Sequence, residues 1–363
     1  MTAESVNTSP NVHSSRQIDA VALTMWLERN VEGFKGPLEI EVFAGGQSNP
    51  TFKLTTPERR YVMRAKPGPV AKLLPSAHAI EREFRVLQAL HGSQVPVAKP
   101  QVLCEDESVI GRAFYVMEFV NGRVLWDQGL PGLSANERRD IYLEMNRVLA
   151  ALHTLNPAAL GLGDYGKPGN YFQRQISRWS KQYQSSVTQP IPEMDALIEW
   201  LPTHIPASAS NDGLVSIVHG DYRMDNLMFD TECPKVLAVL DWELSTIGHP
   251  LADFSYHCMS WHIEPGAFRG IAGLDLQALG IPSEDEYIQC YCDATGFVTP
   301  DALKNDWNFY LAYNMFRMAG ILQGIMKRYQ DGTAASEQAL KNGQAARPMA
   351  EMGWEFASGK KTI

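Results

Sequence analysis

The stretch VHGDYRMDNLMFD, Val218 to Asp230, sets three carboxylates (Asp221, Asp225 and Asp230), one arginine (Arg223) and one amide (Asn226) among apolar residues that read as strand. So many polar groups in so short a span make either a solvated turn or a place that meets a charged ligand. The choice between the two rests on what lies up and down the chain.

The chain has 363 residues, enough for one large domain or two lobes with separate cores. Its 45% apolar and 20% charged content is that of an ordinary globular protein. A formal charge of −9 speaks against nucleic acid, which needs clustered Lys and Arg. It suits a cationic or metal-chelated substrate instead. Cys104, Cys233, Cys258, Cys290 and Cys292 form an odd set without framework spacing, which argues for a reducing compartment. The start, MTAESVNTSPNVHSSRQ, has no apolar core of a secretory leader. The most apolar run, Phe309 to Met326, is interrupted by Asn314, Arg317 and Gln323, so it reads as a buried helix and not a membrane span. The expectation is a soluble cytoplasmic protein.

Residues 1–16 read as a disordered tail, and residues 18–31 as a helix with a stripe through Val21, Met25 and Trp26. LEIEVFA and PTFKLTT read as strands joined by GGQSN, and RYVMRAKP as a third. HAIEREFRVLQALHG is a helix with Ile80, Phe84, Leu87 and Leu90 on one face; PQVLCED and RAFYVMEFV are further strands. Past Asn121 the pattern turns helical, over 134–155, 171–200 and most of 284–330, interrupted by the strands LMF and VLAVLDW. NPAALGLGDYGKPGN reads as a surface loop, and the tail after Ala346 as loosely packed. The predicted fold class is α+β: residues 17–120 form a small antiparallel-sheet N-lobe and residues 121–363 a larger, mostly helical C-lobe.

His219-x-Asp221 followed by Asn226 has the spacing of a kinase catalytic loop. There an Asp accepts the proton of the attacking hydroxyl, and the loop curls back so that an Asn oxygen can ligate Mg²⁺. Fifteen residues past Asn226, VLAVLDWE ends an apolar strand on Asp241, a carboxylate suited to a hard cation. The glycine turn with Gly46, Ser48 and Asn49 joins two strands, and its N–H groups can cover phosphates; it lacks the Rossmann pattern. Arg64 then stands where a kinase places its strand lysine, and Glu83 follows nineteen residues later on a helix, able to pair with that cation. Lys66, on the same strand face, competes with Arg64 for the phosphates, and Glu81 reads as an exposed helix charge.

With these residues in place the chain resembles the aminoglycoside phosphotransferase (kinase-like) family. The likeness is to the branch whose members occur alone in bacteria or fused to acyl-CoA dehydrogenase modules in animals. GGQSNPTFKL, REFRVLQAL, PVAKPQVLCED, FYVMEFVNG, VHGDYRMDNLMF and VLDWELSTIGHPLADFSY carry the likeness, over about residues 40–256. The resemblance implies a bilobal protein-kinase-like fold and an ATP-dependent phosphotransferase acting on a small-molecule hydroxyl. It makes Asp221 the base, Asn226 and Asp241 the Mg²⁺ ligands, and Met117, Glu118 and Val120 part of a hinge around the adenine. Two features depart from the wider kinase pattern. Arg64 replaces the usual lysine, and Trp242-Glu243 follows Asp241 with no room for an activation loop, which argues against a protein kinase.

The acceptor is left open between a hydroxyacyl-CoA-type metabolite and another small alcohol. The rival reading is a non-catalytic, ATP-binding regulatory pseudokinase module. Asp253 is expected to brace the Asp241 loop, and Arg317 to sit in a structural ion pair. The groups Cys290/Cys292 and His257/Cys258/His262 lack zinc-site spacing.

Overall fold

The computed structural model describes residues 18–43, 49–67, 79–210, 213–266, 269–333 and 336–362. The residues fall into two compact units. The first is Met1–Gly122 with Leu237–Glu243; the second is Arg123–Val236 with Leu244–Ile363.

The first unit opens with α1 (Ala20–Asn30), whose N-cap Asp19 accepts from the N–H groups of Val21 and Ala22. Strands β1 (Glu39–Val42), β2 (Thr51–Thr55) and β3 (Arg60–Ala65) precede α2 (Ile80–Leu90), and β4 (Pro100–Cys104) and β5 (Phe114–Glu118) follow it. The strands form one antiparallel sheet in the order β1-β2-β3-β5-β4. Alternation along β3 and β5 decides what each face carries. Tyr61, Met63 and Ala65 join Phe114 and Val116 in an apolar core with Leu23 and Leu27 of α1. Arg64 and Tyr115, which are register partners, occupy the opposite face, where Tyr115 packs on Phe84 of α2.

The stripe expected on α1 is displaced. Val21 is 70% and Met25 50% exposed, while Leu23 and Leu27 are fully buried and Trp26 meets Phe114 edge-on at 5.2 Å. The helix is apolar on more than one side, and packing chose the leucines.

The second unit starts with β6 (Arg123–Val124) and α3 (Ala135–Thr154), which a Ser134/Glu137 capping box initiates. The segment expected to be helical over 171–200 is two helices, α4 (Tyr171–Ser186) and α5 (Pro192–Trp200), because Pro190 and Pro192 cannot continue the first. Next come β7 (Ser216–Val218), β8 (Leu227–Phe229), which pairs with β6, and β9 (Val236–Val239), which runs out of this unit. On return, β10 (Thr246–Gly248) pairs antiparallel with β7, and α6 (Pro250–Cys258) follows at once. Short α7 (Leu276–Leu279), α8 (Glu284–Thr295) and the long α9 (Pro300–Gln330) complete the helical body. Phe309 and the apolar run after it lie buried in α9, and no described helix is long and apolar enough to cross a membrane.

The tail after Ala346 is not loose. After α10 (Glu337–Gln344), helix α11 (Ala346–Ala357) buries Met349, Ala350, Gly353 and Phe356 and packs on α9 and α5. Gly353 permits this approach, since a Cβ there would sit 3.1 Å from Met315 and 3.3 Å from Leu197. The loop 156–170 is likewise more than surface: Leu162 and Tyr165 are buried, and the Tyr165 hydroxyl is 2.7 Å from Ser245 Oγ.

Candidate active site

In the second unit the loop after β7 carries the motif. Gly220 has φ +84°, and a Cβ there would lie 2.8 Å from the Leu244 carbonyl oxygen, so the turn needs a glycine. Asp253, fully enclosed on α6, accepts the N–H of His219 at 2.7 Å and that of Gly220 at 2.9 Å. Its other neighbour is His153 Nε2, at 3.4 Å. Burial alone would raise the Asp253 carboxyl, but the bonds from His153 and His219 outweigh it and hold it below the usual range. Asp253 thus braces the Asp221 loop, where its place after GHPLA had pointed to the Asp241 loop. The sequence distance to Asp241 misled; α6 returns beneath β7.

Asp221 is half-buried with both oxygens engaged. Oδ1 accepts from Tyr256 Oη at 2.6 Å and lies 3.1 Å from Arg223 Nε. Oδ2 accepts from Asn226 Nδ2 at 3.1 Å, and the same amide also donates to the Asp221 carbonyl at 2.8 Å. The five-residue spacing therefore closes a small ring through Met224–Asn226, a single 3₁₀ turn. That commits the Asn226 nitrogen and leaves its carbonyl oxygen outside the pair. Arg223 reaches on to Asp225, whose Oδ2 is 2.5 Å from Arg269 Nη1, and Arg269 lies over Trp126 at 5.8 Å.

Arg317 departs from the expected ion pair. Its Nη2 donates to the Gly220 carbonyl at 2.5 Å, and its guanidinium stands 5.1 Å from the Tyr256 ring centre and 5.7 Å from that of Trp179. A carbonyl and two aromatic faces meet the charge directly, and the Asp221 carboxylate attracts it from further off.

In the first unit Arg64 is the centre. Its Nε is 3.3 Å from Glu83, its Nη1 3.2 Å from Asp241 Oδ1, and its Nη2 3.8 Å from Glu243. Glu83, fully buried, also accepts from Asn49 Nδ2 at 2.8 Å and from Tyr115 Oη at 3.0 Å. Burial pushes the Glu83 carboxyl up, against the pull of Arg64 and its two donors. Burial likewise disfavours the Arg64 charge, but its acidic neighbours outweigh it and raise its pKa, so it stays a cation. Lys66 is committed elsewhere: it pairs with Glu81, which is therefore not a free helix charge. Asp241 ends the segment beyond β9 with φ +63°, a strained value for a residue with a side chain. Its carboxylate is 37% exposed, and only Oδ1 bonds to Arg64.

Among the other expected site residues, Met117 and Glu118 end β5, where Met117 pairs with Val62 and Glu118 with Tyr61. Val120 lies two residues beyond the strand and is half-buried. Gly46 and Ser48 lie outside the described residues. Among the described residues no cluster of His, Cys, Asp or Glu forms a metal site; His257 meets the Tyr287 hydroxyl at 2.8 Å instead. Tyr256 and Tyr115 were not singled out by sequence, and Glu243 only as a departure from the wider kinase pattern. For Tyr256 the one signal available was an aromatic residue three positions after Asp253, on the next turn of the same helix.

Residues 39–287 match the model of the phosphotransferase enzyme family. The chain is 43% identical over 357 residues to mouse acyl-CoA dehydrogenase family member 10, covering 96% of this chain and 32% of that one. It is 42% identical over 346 residues to human family member 11, covering 94% of this chain and 43% of that one. It thus spans less than half the length of these relatives. A crystal structure from Ralstonia eutropha, of a chain named for the aminoglycoside phosphotransferases, is 65% identical with a TM-score of 0.86, covering 94% of this chain and 99% of that one. Choline kinase from Cryptosporidium parvum shares the fold at 13% identity and a TM-score of 0.60, over 94% of this chain and 97% of that one. The chain belongs to the phosphotransferase enzyme family, with the kinase-like fold of the aminoglycoside phosphotransferases.

Proposed function

We propose that the protein transfers the γ-phosphoryl group of ATP to a hydroxyl of a small molecule. The observation that carries this reading is the Asp221 loop: a carboxylate pinned by Asn226 and Tyr256, on a backbone clamped by buried Asp253. In the transfer the acceptor oxygen bonds to the γ-phosphorus while the bond to the bridging oxygen breaks and ADP leaves. The hydroxyl proton passes to Asp221.

The oxygen donors fit Mg²⁺. Asn226 has its nitrogen committed and its carbonyl oxygen left over, and Asp241 keeps an oxygen that Arg64 does not take. Each would offer that oxygen to the ion, which neutralises phosphate charge when bound. Arg64, kept cationic and oriented by Glu83, would supply further positive charge to the phosphates. Asn49, Gly46 and Ser48 at the glycine turn, with Met117, Glu118 and Val120 around the base, complete the nucleotide reading.

For the acceptor we favour an anionic alcohol of the hydroxyacyl-CoA type over a polycationic aminoglycoside. The support is that the relatives bear acyl-CoA dehydrogenase names; Arg223 and Arg269 beside the base are themselves paired with Asp221 and Asp225. ADP release from Mg–ATP is the test, with hydroxyacyl-CoA compounds, other alcohols and aminoglycosides as acceptors. Asp221→Asn is expected to lower transfer by about 10²–10⁴-fold. Equal rates in wild type and variant would leave the pseudokinase reading, which the Arg64 replacement favours, in possession.

A further inference from the structure

We infer that Tyr256 is a positioning residue for phosphoryl transfer, selecting which oxygen of Asp221 faces the acceptor hydroxyl. The inference rests on the reading of Asp221 as the base.

A carboxylate turns easily about its last torsion, because that torsion is broad and two-fold. An unpinned Asp221 would exchange its oxygens. The Tyr256 hydroxyl prevents this with its 2.6 Å bond to Oδ1, the oxygen that Arg223 Nε also approaches at 3.1 Å. Oδ2 receives one amide hydrogen from Asn226 and retains lone pairs for the acceptor proton. Tyr256 is only 4% exposed, and burial together with the Asp221 charge pushes its phenol up, so it stays a donor.

The ring is itself located from behind. Arg317 stands 5.1 Å from its centre and donates to the carbonyl of Gly220, the residue just before Asp221. One guanidinium from α9 therefore fixes both the backbone that carries the base and the ring that orients it.

Tyr256→Phe keeps the ring and the contact with Arg317 and removes only the donor. Release of ADP from Mg–ATP with water as the acceptor is the readout, since it needs no assigned alcohol. Tyr256→Phe is expected to lower kcat by about 10- to 100-fold, with KM for ATP unchanged within about twofold. Placed on Asp221→Asn, the same change is expected to cost nothing more, because the two residues act as one unit. A destabilised fold would lower turnover by the same factor in both backgrounds, and that outcome overturns the inference. So does wild-type turnover in Tyr256→Phe beside a full loss in Asp221→Asn. No loss in Asp221→Asn overturns instead the reading of the base on which the inference rests.

Discussion

Gly220 and Asp253 hold the loop after β7 by different means, one through backbone shape and one through charge. Gly220→Ala forces a side chain into a left-handed backbone and against the Leu244 carbonyl. The expected loss is about 2 kcal/mol of stability, read from urea unfolding. Asp253→Ala strands two buried N–H groups, and a loss of about 3 kcal/mol is expected by the same measurement, since bonds to a charged group are the strong ones. Residue types and spacing already marked Asp221, Asn226 and Asp241, because a motif is local. The pairing of Arg64 with Glu83 was readable from their positions, but that of Lys66 with Glu81 was not. Strand alternation puts residues 64 and 66 on one face, and both glutamates open α2. The match between them depends on how the helix is offset along the sheet, which no local pattern encodes.

Helix α6 shows at the next scale why an element can hide in a sequence. Its residues Leu251 to Cys258 are all buried, so no amphipathic stripe advertises it. His249 caps it: Nδ1 accepts the Leu251 N–H at 3.3 Å and Nε2 donates to the Ser208 carbonyl at 3.1 Å. Burial lowers His249 from 6.5 to about 4, and does the same to His257. The unfolded chain therefore takes up protons first. Stability is expected to be full above about pH 6.5 and to fall as pH drops toward 4, by up to roughly 3 kcal/mol per histidine. Urea midpoints measured against pH would show the fall, and His249→Gln should make it shallower. Helix α11 hid for a different reason: its Ala- and Gly-rich face looks weak, yet small residues allow close approach to α9. Phe356→Ala is expected to cost about 3–5 kcal/mol, measured by thermal or urea unfolding.

For the molecule as a whole, the change from strand pattern to helix pattern near residue 120 was plain in the sequence, because the two periodicities differ. What stayed hidden is that residues 237–243 rejoin the first unit after a long excursion, a fact of tertiary contact alone. The proposed nucleotide makes a prediction at this scale. Mg–ATP at about 100 times its Kd is expected to add about 2.7 kcal/mol of stability, seen as a rise in Tm. Asp241→Ala should remove the magnesium-dependent part of that rise.

The returning segment also sets a timetable. A ribosome that has made the first sheet and α2 has not yet made Asp241 or Glu243, so the nascent Arg64 has only Glu83 among its three acidic partners. Synthesis must run through residue 243 before that guanidinium can meet all three carboxylates. At about 5–20 residues per second, the wait after residue 122 is on the order of ten seconds. During that interval Arg64 has one carboxylate partner where the finished fold gives it three.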